Sequence, residues 1–144
     1  MSVTIPITCL FLWCGMVAAS AAQTAKAGEP PRLIIESMTG GDSFRFYCAP
    51  CHGVTGRGDG PVAAALRTRP ADLTTLKKIN VGTFPRSAVT ASVVGTGRAS
   101  PSHGPSDMPV WGPIFRALDP SDVRVKVRIE NIVDYIESLQ RDTP

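Results

Sequence analysis

The sequence predicts an all-α domain made of short helices joined by ordered loops. Three observations point there. Val125, Ile129, Ile132, Val133, Ile136 and Leu139 recur at helical spacing near the C-terminus, which is the pattern of a helix with one buried face. Proline and glycine number 13 each, interrupting the chain too often for a sheet of long strands. At 144 residues, with 43% hydrophobic and 19% charged positions, the chain has room for one ordinary domain and a leader.

The leader comes first. No charged side chain occurs from Met1 to Ala25, and the apolar stretch from Ile5 to Ala19 gives way to Ser20-Ala21-Ala22-Gln23. Small residues in that position suit a signal peptidase, so residues 1–22 are expected to be an export signal. The basic residue that usually opens such a signal is missing, and an uncleaved membrane anchor is the alternative. Against the anchor, the apolar run falls short of the roughly 20 residues that span a bilayer comfortably. Cys9, Cys14, Met1 and Met16 would leave with a cleaved leader. Residues 23–37 read as a flexible tether, and residues 38–144 as the domain.

Within the domain, Gly41 to Tyr47 is expected to be a short helix that places Phe44 and Tyr47 on one face. Pro61 stands where a first helical residue belongs, ahead of Ala63-Ala64-Ala65-Leu66, with Asp59 or Gly60 as its cap. A third helix starts at Pro85, runs through Ala88, Val89, Ser92 and Val93, and stops at the breakers Gly95 to Gly97. Asp119 before Pro120, with Asp122 three positions on, resembles a cap for the last helix. The formal charge of +3 is modest. Arg45, Arg57, Arg67, Arg86, Arg98 and Arg116 are scattered rather than gathered in a stripe, which argues against nucleic-acid binding.

The chemistry concentrates in Cys48-Ala49-Pro50-Cys51-His52. Two cysteines three positions apart on a helical turn project their sulfurs to one side, within reach of the two vinyl groups of one haem. The adjoining His52 can place an imidazole nitrogen on the iron. Two other readings compete with it. A redox dithiol would be expected at a strand–helix junction, and no such strand precedes Cys48. A structural zinc site needs a further Cys or His, for which His103 is the only candidate. The glycine-rich run from Gly56 to Gly60 lacks the Lys-Ser/Thr ending of a phosphate loop.

Together with that pentapeptide, Gly41, Phe44, Tyr47, Gly53, Gly56-Arg57-Gly58-Asp59-Gly60-Pro61, Pro70-Ala71-Asp72-Leu73 and Met108-Pro109-Val110-Trp111-Gly112 resemble the class I monohaem bacterial cytochromes c. The resemblance runs from about Gly40 to Gln140, with the motifs in the family's order. It implies a cytochrome c fold, in which short helices wrap around one covalently bound haem c. Thioethers to Cys48 and Cys51 would hold the haem, with His52 below the iron and Met108 above it. It also implies that the last helix packs across the first, setting Tyr135 and Ile136 near Gly41 and Phe44 with Gly41 permitting close backbone approach, and that the Pro61 carbonyl accepts from the His52 ring, with the region of Pro70 as the alternative.

Met108 has support of its own. It follows the polar segment Gly95 to Asp107 and precedes Pro109, which restricts it to extended backbone. Met38 lies on the wrong side of the chain for this role. His103 would bind iron and lower the potential, but the family carries a His-Gly pair at this place without using it as a ligand. Trp111 is read as a packing wall rather than an electron relay.

With both axial positions filled, the expected function is single-electron transfer by a periplasmic carrier, not catalysis. Its partners would be redox proteins, a donor and an acceptor, with membrane association only if the leader is retained. The alternatives are a cytochrome subunit of a larger dehydrogenase or oxidase complex and, less favoured, a haem peroxidase or gas sensor with an open sixth position.

Overall fold

The computed structural model describes residues 33–96 and 108–141. These residues are all-α, with no strand among them. The expected leader, the first part of the tether and His103 lie outside the described residues.

The longest element is α6 (Asp122–Ser138), and it organises the rest. Its stripe buries Val125, Ile129, Ile132, Val133 and Ile136, each side chain removed from water contributing about 1.5–3 kcal/mol. Its start differs from the expected cap. Ser121 is the N-cap, its hydroxyl accepting from the Arg124 N–H at 3.3 Å. The Asp119 carboxylate instead accepts from the Ser121 N–H at 2.9 Å and from the Arg124 guanidinium at 2.6 and 2.8 Å. A carboxylate one turn upstream is satisfied better by a charged fork than by a lone helix N–H.

Residues 40–52 are helical throughout: α1 (Gly40–Ser43), a π-helical turn (Phe44–Cys48) and α2 (Ala49–His52). Thr39 caps α1 by accepting from the Asp42 N–H, and the Asp42 carboxylate accepts from the Thr39 and Ser37 hydroxyls at 2.8 and 2.7 Å. Phe44 is fully buried, its ring centroid 5.1 Å from that of Tyr135 on α6. The closest backbone approach falls at Gly40 rather than at Gly41, because Gly40 faces the carbonyl of Asn131.

The middle of the chain is less helical than expected. Only Ala63–Ala65 coil, as a 3₁₀ turn preceded by Val62, and neither Asp59 nor Gly60 caps it. A second 3₁₀ turn (Leu73–Thr75) leads into α3 (Leu76–Ile79). These two elements are too short to show a period in the sequence. α4 (Arg86–Val94) follows Pro85 and ends at Gly95, which adopts the left-handed conformation, as expected.

The unforeseen element is α5 (Trp111–Leu118). Gly112-Pro113 reads as a breaker, yet Pro113 falls in the first turn, where the missing N–H would have had no partner anyway. Phe115 of α5 is fully buried, 4.8 Å from the Tyr47 ring and 5.4 Å from that of Trp111, which in turn lies 5.1 Å from Tyr47.

Arg128 crosses this core at 3% exposure. Its guanidinium donates to the carbonyls of Ile35 and Ser37 at 2.9 Å and to the Ser43 hydroxyl at 3.3 Å, with the Tyr47 and Phe115 rings each 5.9 Å away. A buried cation persists only with such partners. Asn131 adds a bond from its side-chain amide to the Met38 carbonyl at 2.7 Å, and the Tyr47 hydroxyl accepts from the Ile35 N–H at 3.1 Å. Residues 35–37, assigned to the tether from sequence, are thereby tied to the body.

Candidate functional site

Cys48 closes the π-helical turn, and Cys51 and His52 occupy the last turn of α2. A π-turn widens the helix by one residue and is common where a helix must aim side chains. Here it falls immediately before the first cysteine. Both cysteines are free thiols, Cys48 buried and Cys51 half-buried. Burial, with Cys51 as a smaller contributor, pushes the Cys48 thiol up to about 12. A nucleophilic dithiol needs the opposite shift, so this pair is poorly suited to disulfide exchange. Among the described residues no three His, Cys, Asp or Glu side chains gather as a zinc site requires.

The end of α2 leaves carbonyls without helical partners, and the loop that follows satisfies them in succession. Gly58 N–H donates to the His52 carbonyl at 2.8 Å, Gly60 N–H to Cys51 at 3.1 Å and Val62 N–H to Pro50 at 3.1 Å. The loop thus runs back along the Cys-x-x-Cys-His turn. Gly60 is required by that approach, because a Cβ there would stand 2.6 Å from the Ala49 oxygen and closer still to that of Pro50. The glycine-rich run serves the geometry of the cysteine turn.

His52 is oriented from outside its helix. Its Nδ1 lies 3.0 Å from the Ala71 carbonyl, and a carbonyl only accepts, so Nδ1 carries the proton and Nε2 the free lone pair. The acceptor is not Pro61 but Ala71, in the region of Pro70 that was the alternative. The Pro61–Val62 peptide is engaged through its N–H with the Pro50 carbonyl, while residues 70–73 fold back over the loop, Leu73 N–H donating to the Gly56 carbonyl at 2.7 Å. Burial lowers the His52 pKa, opposed by the Ala71 bond, and the neutral imidazole is the form that ligates a metal.

Met108 is half-buried and packs against the core that contains Tyr47, Cys48 and Phe115. It stands three residues before Trp111, and Trp111 lies against Tyr47, the neighbour of Cys48. The described chain therefore brings Met108 and the cysteine turn to one core. Met38 lies just before α1, its backbone carbonyl accepting from Asn131. Trp111 is half-buried between Tyr47 and Phe115.

The residues present fit a covalently held haem: two thiols on one helical turn, an imidazole with a free Nε2, and a thioether on the same core. Three residues that tie distant segments to α6 and the C-terminal end escaped sequence reasoning, namely Arg128, Gln140 and Arg141. Their partners lie more than 60 positions away, as in Arg128 to Ile35 and Gln140 to Leu73, and no local pattern marks them. Comparison with family models, with curated proteins and with solved structures returns no match.

Proposed function

We propose that this chain is an exported class I cytochrome c whose short helices wrap one haem c, and that it acts as a single-electron carrier. Cys48 and Cys51 would hold the group through thioethers, and His52 Nε2 and Met108 would ligate its iron. Bound haem supplies one-electron exchange between ferric and ferrous iron.

The observation that carries this reading is the bond from His52 Nδ1 to the Ala71 carbonyl. It sets the tautomer and holds the ring, leaving Nε2 as the donor, which is the usual second interaction of a metal-ligating histidine. The surrounding Phe44, Tyr47, Trp111 and Phe115 provide apolar walls, which limit water and the reorganisation that accompanies electron transfer.

The reading is tested by attachment. Produced in a periplasm with haem-maturation machinery, the protein should keep its haem through denaturation and acid–acetone extraction. Cys48→Ala combined with Cys51→Ala should lose it. Haem retained by that double variant, or absent from the parent protein, would overturn the proposal.

A further inference from the structure

The turn that holds His52 is itself held by the C-terminus. Gln140, anchored on α6 by its side-chain N–H to the Ile136 carbonyl at 2.8 Å, also donates to the Leu73 carbonyl at 2.6 Å and accepts from the Lys77 N–H at 2.9 Å. Arg141 donates from its backbone N–H to the Thr74 carbonyl at 3.1 Å, from Nε to the Thr74 hydroxyl oxygen at 2.8 Å, and from Nη2 to the Asp72 carboxylate at 3.0 Å. The same Asp72 carboxylate accepts from the Thr74 N–H at 2.9 Å and the Thr74 hydroxyl at 2.6 Å. Two consecutive residues therefore grip the segment 72–77 at both ends. Ala71, whose carbonyl meets His52, is covalently next to the gripped Asp72. On its other side Pro70 is wedged against Gly58, where any Cβ would collide with the Pro70 carbonyl.

We infer that Gln140 and Arg141 form a latch that positions the His52 ring through the Ala71 carbonyl, and so tunes the electronic character of the ligand it presents. The inference rests on the function proposed above. The physical basis is that a hydrogen bond to Nδ1–H increases the basicity of Nε2 and fixes the ring plane. A carbonyl placed by tertiary bonds keeps that interaction, whereas one on a loose loop shares it with water. A more basic imidazole favours ferric over ferrous iron, so an intact latch lowers the reduction potential. Gln140 and Arg141 are positioning residues, since neither touches His52 in the bonds described.

The test uses the full-length haem-loaded protein and the double variant Gln140→Ala/Arg141→Ala. Exchange of the His52 Nδ1 proton with solvent, followed by NMR, should quicken about tenfold as the loop opens more often, and the reduction potential should rise. Gln140→Glu, which keeps the acceptor for Lys77 but loses the donor to both Leu73 and Ile136, should show the same changes to a smaller degree, because Arg141 still holds Asp72 and Thr74, and serves if the double variant folds poorly. Arg86→Ala removes ion pairs to Asp134 and Glu137 on the exposed part of α6 and controls for general loss of stability. It should leave both readouts unchanged. Unaltered exchange and potential in the latch variants, with haem still attached, would overturn the latch alone, as would equal shifts in Arg86→Ala. A parent protein without attached haem would overturn the function and the latch together.

Discussion

Gly40 and Asn131 meet backbone to backbone: a Cβ on Gly40 would penetrate the Asn131 carbonyl oxygen and stand 2.9 Å from the Tyr135 Cβ. The crossing of α1 over α6 is thus set by the absence of a side chain. Gly40→Ala must part the two helices, and it should cost about 3 kcal/mol in a denaturant titration, the scale of core overpacking. Gly41→Ala is the contrast. Its Cβ would reach only ordinary contact, 3.4 Å from the Tyr135 ring, and replacing a helical glycine should gain about 0.5 kcal/mol.

The loop on the cysteine turn yields the second prediction. Gly60→Ala pushes the Gly60 N–H away from the Cys51 carbonyl and exposes the end of α2. Stability should fall by about 2 kcal/mol. The yield of covalently attached haem, measured by absorbance of purified protein against total chain, should fall with it.

Asp119 predicts a window of acid sensitivity. Hydrogen bonds from Arg124, then from the Ser121 N–H, together with the charges of Arg124 and Arg128, hold its carboxyl at about 2 against an ordinary 3.8. A folded-state value below the unfolded one means that the unfolded chain takes up protons first as pH falls. The contribution is therefore complete above about pH 4 and disappears as pH drops towards about 2. Urea midpoints measured across that range should fall less steeply for Asp119→Asn than for the parent protein. Equal slopes would show that the carboxylate is not held in this way.

The ligand assignment gives the fourth. Ferric protein should be low-spin, with cyanide and azide binding weakly, because Met108 must first be displaced. Met108→Ala should become open to these ligands, gain weak peroxidase activity, bind carbon monoxide when reduced, and show a lower potential. His103→Ala should keep the parent spin state. If instead the parent protein bound carbon monoxide rapidly, the electron-carrier reading would give way to an enzyme or a sensor.

The sequence by itself determined the helical class, the buried stripe of α6 and the stop of α4 at Gly95, because each is written in local spacing or in one residue's backbone preference. It also singled out Cys48, Cys51 and His52, whose adjacency is local. Tertiary structure alone decided the rest. Ala71 rather than Pro61 meets His52 because the segment 70–73 folds onto the glycine loop. Gly40 rather than Gly41 takes the helix crossing because it is Gly40 that packing brings against the Asn131 carbonyl. α5 forms across Gly112-Pro113 because Phe115 is fully buried against Tyr47, a gain that outweighs weak local propensity. Arg128, Gln140 and Arg141 look like ordinary surface residues in the sequence. Their roles come from carbonyls and side chains far along the chain, which only folding brings to them.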